Sequence, residues 1–135
     1  MLRKYLAPIL ILIAASLSAC QANSPSTSID LELSDFQISP ERLVVPAGAE
    51  ISLHVTNTGL TTHDFTVMEL GVDVGNRYDQ EDQGNVYWAI EVRSGETRTV
   101  QFQSPTEPGI YQIVCSMPGH VQAGMLGRLE VVARK

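Results

Sequence analysis

Apolar and polar residues alternate in short runs through most of the chain. Ile29, Leu31 and Leu33 alternate with Asp30, Glu32 and Ser34, the period of a half-buried strand. Phe36 and Ile38 resume in the opposite phase, which predicts a bulge near Ser34-Asp35. Leu43 and Val45 lead into the turn Pro46-Ala47-Gly48. Ile51, Leu53 and Val55 alternate with Ser52, His54 and Thr56 and stop at Asn57-Thr58-Gly59. Phe65 and Val67 share a phase with His63, and Val86, Trp88, Ile90 and Val92 form another alternating run. Ser94-Gly95-Glu96 turns the chain into Val100 and Phe102. Pro108-Gly109 opens a strand from Ile110 to Cys115, and Leu126 to Val132 closes the chain. Short strands at this spacing, about eight in number and without an amphipathic helix, predict an all-β sandwich or barrel. Residues 71–85 break the rhythm: they are polar, hold Gly75 and the cluster Asp79-Gln80-Glu81-Asp82, and read as a long surface excursion with room for one helical turn.

The N-terminus follows a different pattern. Arg3 and Lys4 make a positive segment, Leu6 to Leu17 is apolar, and small residues end in Leu17-Ser18-Ala19-Cys20. Residues 1–19 therefore read as a secretory signal peptide, set apart from fold reasoning. Leu17-Ser18-Ala19-Cys20 looks like a bacterial lipobox, in which Cys20 carries lipid. Plain cleavage near Ala19, with Cys20 incidental, is the alternative. Residues 20–28 have the composition of a flexible tether, which leaves residues 29–135 as one domain. The expected location is outside the cytoplasm, lipid-anchored on the outer side of a bacterial membrane, periplasmic or extracellular.

The chain has two cysteines. With Cys20 lipidated, Cys115 is a lone thiol in an oxidising compartment, where cysteines usually pair. A metal, a reactive thiol or a partner chain is needed to explain it. The formal charge is −6, and loss of Arg3 and Lys4 makes the remainder more acidic still. An acidic domain is a poor nucleic-acid binder and steers toward a basic partner surface.

The chemistry concentrates in Cys115-Ser116-Met117-Pro118-Gly119-His120-Val121-Gln122-Ala123-Gly124-Met125. A thiolate, an imidazole and a thioether in one loop, joined by one more histidine, make the donor set of a blue-copper site: two His and a Cys in a plane, with a weak axial Met. Each residue also has an ordinary reading. Cys115 suits a small core hydrophobe, His120 a solvated loop apex, Met125 a core filler. His63 is the upstream candidate because its parity aims it inward, whereas His54 alternates with Ile51, Leu53 and Val55 and should face solvent. Asp64 then becomes a candidate to bond Ser116 and pin the two ligand segments. Met117, Pro118, Val121 and Ala123 surround His120 and are expected to form a small apolar patch. The chain lacks a second Cys in the loop for a binuclear centre and has too few His for a catalytic copper cluster. A structural zinc site would not normally use Met.

The chain resembles the cupredoxins, small blue-copper proteins of the plastocyanin and auracyanin kind. The resemblance spans Phe36 to Val132. It rests on Phe36-x-x-x-Pro40-x-x-Leu43-x-Val45-x-x-Gly48, on Asn57 before His63-Asp64, on Gly95-Glu96-Thr97, and above all on Gly109-x-Tyr111-x-x-x-Cys115-Ser116-x-Pro118-Gly119-His120-x-x-Ala123-Gly124-Met125-x-Gly127. It implies a Greek-key β-sandwich and one copper ion, cycling between Cu(I) and Cu(II), on His63, Cys115, His120 and Met125. Tyr111 resembles the tyrosine that braces the strand corner before the ligand Cys. Four residues separate Cys115 from His120, where plastocyanin has two, so the loop is nearer that of auracyanin. The implied role is that of a monomeric one-electron carrier between redox partner proteins, not an enzyme. A copper-binding or copper-delivery lipoprotein is the alternative.

Overall fold

The computed structural model describes residues 24–135, and the leader and Cys20 expectations lie outside the described residues. Among the described residues, nine strands form two sheets: β1 (Ser28–Ser34), β2 (Gln37–Ser39), β3 (Arg42–Pro46), β4 (Glu50–Asn57), β5 (His63–Met68), β6 (Val86–Val92), β7 (Thr97–Gln103), β8 (Gly109–Val114) and β9 (Leu126–Val132). One sheet runs β2-β1-β4-β7 and the other β3-β9-β8-β5-β6. The all-β sandwich is the fold that the alternation implied. β1 pairs parallel with β4, and β3 parallel with β9, whereas the remaining ladders are antiparallel.

The core follows from strand parity. β1 and β4 bury every second residue, placing Ile29, Leu31, Leu33, Ile51, Leu53 and Val55 inside. They meet Leu43, Val45, Phe65, Ile113, Leu129 and Val131 from the facing sheet. An aromatic run bridges the layers: Phe65 meets Trp88 edge-on at 6.3 Å, and Trp88 stacks on Phe102 at 4.6 Å. The Tyr111 hydroxyl donates to the Glu107 carbonyl at 2.8 Å and braces the start of β8.

Three details depart from the pattern read along the chain. β1 and β2 form a hairpin with Ser34 opposite Gln37, so Asp35 and Phe36 are the two residues of a tight turn and not a bulge. A phase change cannot separate the two, because both reverse side-chain parity. The fold also begins earlier than residue 29: the Ser26 amide donates to the Val44 carbonyl, the Ser52 amide to Thr27, and Ser28 pairs with Ser52. Backbone pairing there overrides a linker-like composition. Finally, residues 71–85 form the largely exposed surface excursion expected, with its helical turn, but one residue of it enters the core. Val74 is buried with Met68, Val114 and Val121, and its amide donates to Gln112 Oε1 at 2.9 Å. The excursion covers the outer face of β5, which is buried on both sides, and ends in a short 3-10 helix, Asp82–Asn85.

Candidate metal centre

Three segments deliver the site to one end of the sandwich. His63 opens β5 and is fully buried. Cys115 follows the last residue of β8, also fully buried, in phase with Tyr111 and Ile113. The loop from Cys115 to Met125 then closes on itself. Its carbonyl and amide groups bond inward: Cys115 N–H to Met125 O, His120 N–H to Met117 O, and Met125 N–H to His120 O. Gly119 and Gly124 take positive φ of 86° and 91°, the left-handed conformation that side chains resist. The loop therefore holds its shape through its own backbone, and Met125 ends fully buried at its far side.

The donors converge. His63 Nδ1 and His120 Nδ1 are 3.2 Å apart, and Cys115 Sγ lies 3.8 Å and 3.2 Å from them. Metal–nitrogen and metal–sulfur bonds of about 2.0–2.3 Å, arranged in a trigonal plane, put donors roughly 3.6–3.8 Å apart. The triangle is thus about the size of one metal ion. His54 is not part of it; it is exposed on β4, with Nδ1 2.7 Å from the Thr99 hydroxyl.

Asp64 ties the two ligand segments together. Its carboxylate accepts from the Ser116 amide at 2.8 Å, from the Ser116 hydroxyl and from the Thr66 hydroxyl at 2.8 Å. Its own amide points at Cys115 Sγ, 3.4 Å away. Without a metal, burial pushes the Cys115 thiol up to about 11, with the Asp64 charge adding to that and its amide opposing it. Burial and the neighbouring His63 lower the pKa of His120. Both effects favour the neutral donors: a cation in the triangle is what would make a thiolate stable there.

These donors, a buried thiol with two imidazole Nδ1 atoms and a buried thioether beside them, are a soft set suited to copper and not to a structural zinc. The profile of the cupredoxin-like domain family matches residues 7–126. The chain belongs to the cupredoxin-like domain family. Among cupredoxins, auracyanin-B of Chloroflexus aurantiacus is 29% identical over 105 residues, covering 66% of this chain and 44% of that protein. The chain thus spans less than half the length of that relative. The dithionite-reduced auracyanin of Roseiflexus castenholzii superposes with a TM-score of 0.68 at 25% identity, covering 81% of this chain and 99% of that one. Auracyanin A of Chloroflexus aurantiacus, described as a blue copper protein, has the same fold, with a TM-score of 0.63 at 22% identity over 81% of this chain and all of that one. The donor set of this cupredoxin is arranged for one copper ion.

Two residues at the site were not singled out for it from the sequence. Asp35 Oδ1 lies 3.3 Å from His63 Nε2, and Phe36 stands edge-on to the His120 ring at 5.3 Å. Both belong to the β1–β2 turn. Phe36 has φ +64°, rare for a non-glycine residue and a sign of local constraint. Val121, expected on the surface beside His120, is instead 4% exposed and packed under Val74. The loop turns its apolar residue inward because the 71–85 excursion offers it a partner. The large exposed apolar side chains on this end are Phe36, 48% exposed, and Leu60, 85% exposed; Pro118 and Ala123 of the expected patch are exposed too, and Met117 is half-buried.

Proposed function

We propose that this cupredoxin carries single electrons on one copper ion held by His63, Cys115, His120 and, as the weak axial ligand, Met125. The convergence of two Nδ1 atoms and Cys115 Sγ into one triangle carries this reading. The copper supplies a one-electron couple when bound. The chain supplies a site that barely rearranges: the 115–125 loop is closed by its own hydrogen bonds, and Asp64 locks it to β5. Small reorganisation suits electron transfer. A delivery site would sit exposed and release its metal easily, whereas Cys115, His63 and Met125 are fully buried.

Redox partner proteins are the proposed clients. The proposed docking face is that of the half-exposed His120, with Phe36 edge-on to its ring and the exposed Leu60 bonded through its amide to Asp35 of the same turn as Phe36. Small apolar patches with electrostatic steering suit brief electron-transfer encounters. The acidic chain would steer toward a basic docking surface. A lipid on Cys20 would place a monomeric domain at the outer surface of a bacterial membrane, with the short segment before Ser26 as its tether. Among the described residues no helix is long and apolar enough to cross a membrane.

The test is direct. Adding Cu(II) to the domain should give a blue protein through thiolate-to-copper charge transfer, and Cys115→Ser should abolish the colour. A colourless, copper-loaded wild type would overturn the assignment. Mass spectrometry of the native N-terminus tests the lipid on Cys20.

A further inference from the structure

Most of the site comes from β5 and the 115–125 loop, but the β1–β2 turn of the opposite sheet reaches it as well, through Phe36 on His120 and Asp35 on His63. Asp35 Oδ1 sits 3.3 Å from His63 Nε2, and it accepts the Leu60 amide at 2.9 Å. It thereby binds both the ligand and the loop that leads to it. The rest of that loop is fastened with equal care. Asn57, fully buried, accepts the Gly59 amide and donates to the Thr61 and Val92 carbonyls, and Ser94 donates to the Gly59 carbonyl.

Gly59 shows that space is kept for the contact. A Cβ built there would lie 2.6 Å from His63 Nε2 and 2.7 Å from Asp35 Oδ1. Gly59 does not have positive φ, so the absence of a side chain serves proximity and not backbone conformation. A residue other than glycine would drive a methyl group between carboxylate and imidazole.

We propose that Asp35 is the positioning residue for His63, holding the ring as its Nε2–H tautomer so that the Nδ1 lone pair faces Cys115 and His120. An imidazole whose remote N–H is held by a carboxylate is fixed in orientation and is a more basic ligand. This rests on the copper reading above. A stronger imidazole donor favours Cu(II) over Cu(I), so Asp35 holds the reduction potential down. The 40% exposed side chain of Asp35 lets solvent screen part of its charge, while the fully buried ring of His63 is not screened.

The experiment has a metal-free and a metal-loaded arm. In the metal-free protein, imidazole nitrogen NMR shifts should report His63 as the Nε2–H tautomer. Asp35→Ala and Gly59→Ala should each mix the tautomers, the second without removing any charge. In the copper-loaded protein, Asp35→Asn should lower the preference for Cu(II) over Cu(I) by about tenfold, a rise of about 59 mV for a one-electron couple. Asp35→Glu should recover part of the shift. An Nδ1–H tautomer in the metal-free wild type overturns the proposal, as does an unchanged or lowered potential in Asp35→Asn. A wild type that binds no copper would instead sink the copper reading, and the tautomer would still decide the part played by Asp35.

Discussion

The backbone N–H of Asp64 points at Cys115 Sγ across 3.4 Å, while the Asp64 side chain holds the residue after that cysteine. One residue thus touches the sulfur and anchors the loop that carries it. The carboxylate is buried and accepts three hydrogen bonds from Ser116 and Thr66. Replacing it with a methyl group strands those donors. Each buried unsatisfied group costs about 1–3 kcal/mol. Asp64→Ala is therefore expected to lower the melting temperature of the metal-free domain by about 4–8 °C or more. Thermal unfolding by circular dichroism measures this, and an unshifted midpoint would mean that water replaces the carboxylate at no cost.

Met125 allows a sharper test of ligand rank. It is fully buried at the end of the loop, and its backbone, not its side chain, closes the ring through Cys115 and His120. Met125→Leu keeps volume and burial, so the loop should persist and copper should stay. The loss of a weak thioether ligand removes stabilisation mainly from Cu(II). A tenfold change in relative affinity corresponds to about 59 mV, and a rise of that order is expected. Redox titration of the blue band checks it; loss of the metal would give Met125 a larger part than an axial ligand plays.

How much of this was legible along the chain depends on distance. Strands β1 and β4 have one face in the core, so their alternation is plain in the sequence. β5 is buried on both faces, yet Asp64 and Thr66 alternate with His63, Phe65 and Val67 as in a half-buried strand, so the run hides the covering excursion. Cys115 and His120 are four residues apart in between, so a local turn suffices to join them. Asp35 and His63 are joined only because β1 lies beside β4, across 28 positions of sequence. Nothing in the residues around Asp35 signals that pairing. Val121 was hidden for a similar reason: an apolar residue in a loop reads the same whether it faces solvent or the underside of another loop.

Phe36 combines strain with exposure. A left-handed conformation costs a non-glycine residue about 1–2 kcal/mol, and glycine at the same place costs roughly 0.5–1 kcal/mol in unfolded-state entropy. The ring is half exposed, so its removal sacrifices little burial. Phe36→Gly should leave the melting temperature nearly unchanged while uncovering the edge of His120. Oxidation of the reduced protein by a small inorganic iron complex should then quicken. A large drop in melting temperature would show instead that Phe36 is a packing residue.

Leu60 and Val121 offer one substitution with two opposite expected outcomes. Both are apolar, both lie in loops at the copper end, and a serine in either place adds no charge. Leu60 is 85% exposed, so Leu60→Ser should not shift thermal unfolding or the visible spectrum. It should slow electron transfer to a basic cytochrome if the partner docks against Phe36 and Leu60. Val121 is packed among Met68, Val74 and Val114. Val121→Ser leaves a void and a buried hydroxyl, together about 2 kcal/mol or more, and should lower the melting temperature first. Steering is separable from contact. Asp79 and Asp82 accept backbone amides within the excursion, from Glu81 and Asp79 respectively. Asp79→Asn with Asp82→Asn keeps those acceptors and should lessen only the salt dependence of association. Stopped-flow rates across a salt series decide between the two effects. Unchanged rates for Leu60→Ser at every salt concentration would mean that electrons leave by another face.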